Sequence, residues 1–261
     1  MAPELLENAI ATAVARLREA RRPYAIATVV RTVGATAAKP GARALILADG
    51  TIAEGWVGGG CVRGAMTRAA VAAIGDGTPR LISLRPEDEP GAPEEHQGIE
   101  FARNGCPSKG SMDLFIEPVL PQPELVIIGA SPVARSLAAL AGSFSFDIIL
   151  HDSAIALGPL PAGARRMVVV ATQGKGDLDG LKTALGCGAD YIGFVASHRK
   201  FTTLAETLHE AGADEAELAR INAPAGLAID AVTPDEIALS ILAQVIKIRR
   251  SGQRRPETET A

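Results

Sequence analysis

ELVIIGASP, residues 124–132, decides the fold of the second half of the chain. Its apolar run has the length of a buried strand, and the Gly-Ala-Ser-Pro turn leads into a helical pattern. Further short apolar runs follow at 147–152, 167–172 and 191–196, separated by helical stretches. This alternation is typical of a parallel sheet covered by helices. We therefore predict a Rossmann-like parallel-sheet domain over residues 121–250.

The same turn is a candidate nucleotide site, because helix N-termini that follow a strand hold phosphate groups in nucleotide-binding folds. Gly129 and Ser131 lie in the turn, and Asp152 ends the next strand, where an acid meets a ribose hydroxyl in such folds. Ser131 and Ala134 nevertheless replace the second and third glycines of the dinucleotide fingerprint. The residues leave open NAD(P) or FAD binding and a degenerate domain used for packing or dimerisation.

The loop after the 191–196 strand gathers Ser197, His198 and the cations Arg199 and Lys200. Open α/β sheets bind ligands at this edge, so Ser197 is a further candidate cofactor contact. A solvated loop explains His198 as well as titration or coordination does. The rigid segment 222–227 is expected over the same edge, and the helix over 235–250 has a capping residue, a proline and two acids at its start.

The first half predicts a different α/β arrangement, over residues 1–120. Its expected elements are a helix over 4–21, a strand over 24–31, a hairpin of 44–48 with 51–56, a helix over 62–75 and a closing strand over 111–119. The stretch 85–98 is polar and proline-rich, as surface loops are. Prolines at 118, 121 and 123 mark the domain boundary near residue 121.

Three consecutive glycines, Gly58, Gly59 and Gly60, precede Cys61 at the start of the second helix. Such glycines let the backbone approach a ligand and leave amide groups free for an anion such as phosphate. A helix N-terminus also stabilises a thiolate, which makes Cys61 a candidate nucleophile or soft metal ligand. A plain glycine turn followed by a buried cysteine accounts for the spacing equally well.

Two further loops of small residues lie in the first half. The loop 32–41 carries Lys39, whose ammonium could hold a phosphate or a pterin edge. The loop 104–110 places Cys106, the second candidate reactive thiol, near Lys109. Taken singly, each loop is explained by an ordinary connection, and Cys187 between two glycines is most simply structural.

Composition narrows the classes of function. A hydrophobic fraction of 47% provides material for packed cores, whereas 3% aromatic residues and a net charge of −4 argue against nucleic acid binding. Three widely spaced cysteines match no disulfide framework and indicate a reducing compartment. The sequence shows no secretion signal or membrane span, so we expect a soluble cytoplasmic protein with a disordered tail over 251–261. No hydrolase motif is visible.

With these segments identified, the chain resembles the XdhC/CoxI family. The matching motifs are residues 27–34, 39–41 and 58–62 in the first half and residues 191–197, 200, 224–227 and 233–241 in the second. The resemblance runs from about residue 1 to residue 250 and makes the first domain an XdhC-type α/β domain.

The resemblance implies an accessory protein rather than a catalyst. Such a factor binds molybdenum cofactor (molybdopterin), protects it during sulfuration by a cysteine desulfurase and delivers it to a molybdenum hydroxylase such as xanthine dehydrogenase. By this analogy Cys61 contacts the molybdenum or the dithiolene, while the glycine amides and Lys39 lie near the phosphate. The second domain is expected to form the other wall of a cleft and a homodimer contact.

The sequence departs from better-known family members in the second domain. Residues 129–132 replace a common Gly-x-Gly-His pattern, and Gln173 and Lys175 occupy a stretch where histidine is often seen. The segment 106–110 looks closer to the branch that accompanies carbon monoxide dehydrogenase-like enzymes, which makes such an enzyme an alternative client. The competing interpretation is an oxidoreductase or flavin-handling protein, in which Gly129, Ser131 and Asp152 hold NAD(P) or FAD.

Overall fold

A computed structural model describes residues 3–86, 98–104, 110–160 and 163–251, and side chains within them except those of residues 3–7, 61 and 104. The chain divides into two compact units, residues 1–121 with 161–163, and residues 122–160 with 164–261. Each unit is α/β, and the second contains a parallel sheet, so the predicted fold class is confirmed. The 251–261 tail prediction falls, apart from Ser251, outside the described residues.

Unit 1 is a six-stranded sheet with two helices. Its elements are α1 (Pro3–Glu19), β1 (Tyr24–Val33), β2 (Arg43–Leu47), β3 (Ile52–Gly55), α2 (Gly60–Asp76), β4 (Arg80–Pro86), β5 (Ile99–Asn104) and β6 (Ser111–Val119). The strand order is β3-β2-β1-β6-β4-β5. Neighbouring strands are antiparallel except for the parallel pair β4 and β5.

Small residues let α2 lie close to one face of this sheet. Ala69, Ala70 and Ala73 of α2 are buried, and Met66 fills the space beside them. On the other face, Leu17 of α1 packs in a second cluster around the first strands of the sheet. The packing of α2 fixes the position of its N-terminus, where the glycine segment lies.

Strands β4 and β5 were not predicted from the sequence. The charged residues of β4 are paired across strands: Arg85 Nη2 lies 3.5 Å from Asp113 Oδ1 of β6, and Arg80 contacts Glu100 of β5. The strand therefore extends into the predicted polar loop as far as Pro86, and residues 87–97 lie outside the described part of the chain. In the predicted 104–110 loop, Asn104 is the last residue of β5. Residues 105–109, which include Cys106 and Lys109, lie outside the described part of the chain.

Unit 2 is a five-stranded sheet in which all neighbours are parallel. Its elements are β7 (Glu124–Ile128), α3 (Pro132–Ala141), β8 (Asp147–His151), β9 (Arg166–Val170), α4 (Asp177–Gly186), β10 (Tyr191–Phe194), α5 (His198–Glu210), α6 (Glu215–Ala219), β11 (Ile221–Asn222) and α7 (Pro234–Arg250). The strand order is β11-β10-β9-β7-β8. Helices α3 and α7 pack on one face, and α4 to α6 pack on the other.

The predicted start of the last helix is confirmed. Thr233 accepts a hydrogen bond from Glu236 N, Glu236 accepts from Thr233 N, and Pro234 opens α7. This capping box satisfies backbone donors that a helix start otherwise leaves open.

A buried arginine secures the amino-terminal edge of the unit 2 sheet. Arg166 is 3% exposed and donates to Glu124 Oε2 at 2.7 Å, to Cys187 O at 3.0 Å and to Gly158 O at 3.0 Å. Because these acceptors satisfy its guanidinium, Arg166 has a structural role. A ligand site on this sheet is therefore expected at the opposite edge, at the carboxyl ends of the strands.

Candidate functional site

The glycine segment joins β3 to the start of α2. Gly58 has φ +142°, and a Cβ on it would lie 3.1 Å from a methyl group of Val62, so this turn favours glycine. Among the described atoms, none lies within 4 Å of a Cβ built on Gly59 or on Gly60. As far as the described residues show, the backbone at the start of α2 therefore has room beside it that a ligand can occupy.

The N-terminus of α2 has no side-chain cap. Gly59 is its N-cap residue, and its first turn contains no acid. Helix α4 also begins at an uncapped glycine, Gly176, but it has two acids in its first turn. In contrast, α3, α5, α6 and α7 each begin with a side chain that accepts a backbone hydrogen bond. Open N–H groups and the positive end of the helix dipole together attract an anion. Cys61 is the second residue of α2, and its side chain lies outside the described atoms.

The Lys39 loop closes over the same core as the glycine segment. Its turn is held by hydrogen bonds from Ala42 N to Lys39 O at 3.0 Å and from Gly41 N to Val29 O at 2.8 Å. Ala38, which is 2% exposed, belongs to one buried cluster with Val57 and Val62. Lys39 itself is exposed and forms no salt bridge with any residue that the structure describes.

Between the two segments, Trp56 N donates to Arg43 O at 3.0 Å, which extends the pairing of β3 with the first residue of β2. The third loop approaches the first one: a Cβ on Gly110 would lie 2.3 Å from Ala35 O. The structure thus brings together loops that the sequence presents separately. Cys106 lies outside the described residues, and so does the side chain of Cys61. The role predicted for Cys106 therefore stays a prediction.

In unit 2, the strand order reverses direction between β7 and β9. Doubly wound sheets bind ligands at such a switch point, beyond the carboxyl ends of the strands. Gly129 lies there with φ +128°, and a Cβ on it would stand 2.3 Å from Ala171 O. Glycine is therefore required for the β7 turn to pack against the end of β9.

The two predicted serines serve their own helices. Ser131 Oγ accepts a hydrogen bond from Ala134 N at 3.1 Å, and Ser197 Oγ accepts one from Lys200 N at 3.3 Å. Both are N-cap residues, which accounts for them without a ligand. Asp152 is exposed and directly follows β8, the neighbour of β7. Gly129, Ser131, Asp152 and Ser197 thus all lie at strand ends on one sheet edge, and their roles toward a cofactor stay predictions.

Sequence reasoning missed a polar cluster on this edge, centred on Asp177. This carboxylate is 6% exposed and accepts hydrogen bonds from Thr172 Oγ1 and, at 3.2 Å, from Gly174 N. Lys200 Nζ forms an ion pair with its other oxygen. Burial alone would raise the pKa of Asp177, but the hydrogen bonds and the lysine charge outweigh burial and lower the pKa.

The signal for this cluster was present in residues 172–177, a glycine loop that follows a predicted strand. Gln173 and Gly174 have φ values of +53° and +96°. The turn bends the chain so that Asp177 reaches back to Thr172. Because Lys200 lies in the first turn of α5, after the next strand, only the folded sheet brings the ion pair together.

The segment 222–227 lies against the end of β10, as expected. Ala225 N donates to Phe194 O at 3.0 Å, and Gly226 N donates to Gln244 Oε1 at 2.7 Å. Tyr191 Oη donates to the same oxygen at 2.7 Å. These bonds connect the segment to the sheet and to α7. His198, the first residue of α5, is exposed.

The described residues contain neither a candidate membrane span nor a candidate metal site. None of their helices is long and apolar enough to cross a membrane. Within the same residues, no group of at least three His, Cys, Asp or Glu side chains could hold a metal ion.

Comparison with known proteins covers both units. A family model for the "XdhC and CoxI family" matches residues 17–85, and one for the "XdhC Rossmann domain" matches residues 125–245. The Escherichia coli protein "Uncharacterized protein YqeB" is 30% identical over 270 residues, covering 93% of this chain and 47% of that protein. The E. coli "Molybdenum cofactor insertion chaperone PaoD" is 30% identical over 130 residues, covering 48% of this chain and 40% of that protein.

The chain therefore spans less than half the length of these curated relatives. A solved structure described as a xanthine dehydrogenase from Bacillus halodurans aligns with 98% of this chain and 97% of its own chain, at 20% identity and a TM-score of 0.40.

Proposed function

The chain belongs to the XdhC and CoxI family, and from this premise we propose that it binds molybdenum cofactor as cargo for insertion into a molybdenum enzyme. The similarity to PaoD, a molybdenum cofactor insertion chaperone, supports this proposal. On this account the protein is an accessory factor, and turnover of a substrate is the task of its client.

The observation that carries the proposal is the open N-terminus of α2. Molybdopterin carries a phosphate, and Gly59 and Gly60 leave room for it beside backbone N–H groups that no described side chain caps. Lys39 is an exposed cation of the same unit, on a loop whose Ala38 shares a buried cluster with Val57 and Val62, and in this proposal it supplies a charge-assisted contact. The residues present therefore fit the anionic end of the cargo.

Cys61 holds the other end of the cargo in this proposal. As the second residue of α2, it is within one helical turn of the glycine amides. A thiolate at a helix N-terminus is a good ligand for a soft metal centre. In this proposal the Cys61 thiolate contacts the molybdenum or the dithiolene. Cys106 is a second reactive thiol of the same unit.

Further parts of the proposal concern partners. A cysteine desulfurase sulfurates the bound cofactor, and the client is a molybdenum hydroxylase of the xanthine dehydrogenase or carbon monoxide dehydrogenase type. The protein acts in the cytoplasm as a homodimer formed through unit 2. Co-purification with a desulfurase and sedimentation of the full chain test these parts separately.

The alternative is NAD(P) or FAD binding at the switch point of unit 2, which the sheet order favours. The start of α3 weakens it, because Pro132 has no N–H and Ala134 N donates to Ser131 Oγ. Of the first three positions of α3, only Val133 keeps a backbone N–H for a pyrophosphate. Flavin absorption of the purified protein, or saturable NAD(P)H binding, would favour this alternative.

The test is retention of cargo by the full chain. Purified protein is incubated with molybdenum cofactor, unbound material is removed, and molybdenum and pterin are quantified per chain. The native protein and Cys187→Ala are expected to retain both, whereas Cys61→Ala loses most of the molybdenum. Cys187 is a suitable control because its thiol donates to Ala184 O within unit 2. Equal retention by Cys61→Ala would exclude the assigned role of Cys61.

A further inference from the structure

Trp56 is the single tryptophan of the chain, and it is 51% exposed. Burial stabilises a large aromatic side chain, so the exposed half of this indole is a surface that a ligand can cover favourably. It immediately precedes Val57 and the glycine segment that leads into α2. This position calls for an explanation that the proposed function has not used.

The backbone on both sides of Trp56 is held in place. Its N–H donates to Arg43 O at 3.0 Å, and Gly55 before it packs so closely that a Cβ there would lie 2.3 Å from the same oxygen. Val57 after it is 2% exposed and belongs to the core. Because these neighbours are fixed, the backbone of Trp56 has a defined place on the surface, and only its side-chain torsions must be ordered when the indole contacts a ligand.

The indole is also near the open helix start. Two residues, Val57 and Gly58, separate Trp56 from Gly59, so their Cα atoms are at most about 11 Å apart. The approach of Gly58 to Val62, the third residue of α2, keeps the segment against the helix. A ligand about 11 Å long therefore suffices to reach from the helix start to Trp56.

The chemistry of the cargo matches this arrangement. Molybdopterin carries an anionic phosphate and a reduced pyranopterin whose pyrimidinone ring is flat and conjugated. The amides of the glycine segment and Lys39 interact with charge and offer nothing to the flat ring. An indole provides a large stacking surface for such rings, as aromatic side chains do for nucleobases.

We infer that Trp56 is a binding residue that stacks on the pterin ring of the cargo, while the start of α2 receives the phosphate. This inference rests on the proposed function and adds to it a contact that recognises the ring system. It defines the ligand class of this surface as a planar heteroaromatic ring that carries an anionic group.

The single tryptophan allows a direct test, because all tryptophan emission comes from this site. Native protein is titrated with a free pterin that carries neither phosphate nor metal, with N-acetyltryptophanamide as the correction for absorbed light. The inference predicts saturable quenching of the emission beyond that correction. Quenching that only matches the correction would overturn it.

Variants provide the second readout, by equilibrium dialysis with the fluorescence of the pterin itself. Trp56→Ala is expected to bind the pterin about tenfold more weakly, and Trp56→Phe about two- to threefold more weakly. Val71→Ala is the matched control, because Val71 is 40% exposed on the same unit and lies within α2. Circular dichroism checks that each variant folds.

Cofactor retention separates failure of the inference from failure of the proposed function. If native protein and Trp56→Ala retain equal molybdenum cofactor and bind free pterin equally, the stacking role is wrong and the carrier function stands. If native protein retains no cofactor, the carrier function is wrong, and the pterin titration still decides whether Trp56 binds flat rings.

Discussion

Replacing Asp177 by alanine should destabilise unit 2 more than any change to its lysine partner. The carboxylate is 6% exposed and accepts from Thr172 Oγ1 and Gly174 N. Alanine would leave both donors without this acceptor, at about 1–3 kcal/mol each, so we expect a loss of about 2–6 kcal/mol. The Lys200 side chain is 39% exposed and can turn to water, so Lys200→Met should cost about 1 kcal/mol or less.

The loss should depend on pH in a defined direction. The pKa of Asp177 is lowered in the folded protein from 3.8, so its ionised form stabilises the fold above that pH. This contribution disappears as the pH falls through the folded pKa. The difference in unfolding free energy between native protein and Asp177→Ala should therefore be constant from about pH 5 to 8 and shrink below about pH 4.

Urea unfolding followed by far-ultraviolet circular dichroism measures these differences. Because the two units can unfold separately, hydrogen exchange of β9 and β10 identifies the transition of unit 2. Asp177→Asn is the matched control, since its amide oxygen keeps an acceptor and removes only the charge. Equal stability of Asp177→Ala and native protein at pH 7, or a difference that grows on acidification, would refute this reasoning.

Two further substitutions test the site edge of unit 2. Gly129→Ala places a methyl group 2.3 Å from Ala171 O at φ +128°, so it should destabilise unit 2 by at least about 2 kcal/mol, and a wild-type urea midpoint would contradict the close packing. Tyr191→Phe removes the hydrogen bond to Gln244 but leaves Gly226 N on the same oxygen, so it should cost about 1 kcal/mol at pH 7. Burial raises the pKa of Tyr191, so the unfolded chain releases the phenolic proton at a lower pH than the folded protein does. The native protein should therefore lose stability above about pH 10, and Tyr191→Phe should lose less. Parallel pH profiles of the two proteins would argue against burial as the cause.

Unit 2 was predictable because its strands are apolar on both faces. Val168, Val169 and Val170 are all 0% exposed, so the continuous run that marks a parallel strand is visible in the sequence. The glycine at the end of β7 was identified from its place between strand and helix. Its close contact with Ala171 required the folded sheet, because the two residues belong to different strand ends.

Features that depend on distant partners could not be predicted. β4 carries Arg80 and Arg85, which suggest a polar loop until Glu100 and Asp113 are placed opposite them. The Asp177 cluster likewise needs Lys200 from the following connection. A single sequence indicates which segments are apolar, but it does not indicate which charges will meet.

For the glycine segment too, some features were predictable from the sequence and others required the folded structure. Its position before α2 followed from the helical pattern, and the residue types indicated an anion site. The open space above Gly59 and Gly60 and the fixed, exposed Trp56 came only from the structure. These observations support the proposal that the start of α2 binds the phosphate of the cargo and that Trp56 contacts its ring.

The central claim, that the phosphate of the cargo lies at the start of α2, is tested most directly by one added charge. Gly60→Asp and Gly75→Asp both place a carboxylate where a Cβ meets nothing within 4 Å, at opposite ends of α2 and roughly 22 Å apart. Molybdenum and pterin retained per chain are then compared for the two variants and the native protein. We predict that Gly60→Asp loses most of its cargo, because the new charge repels the phosphate, while Gly75→Asp retains it. Equal retention by both variants would contradict the assignment of this helix start as the cargo site.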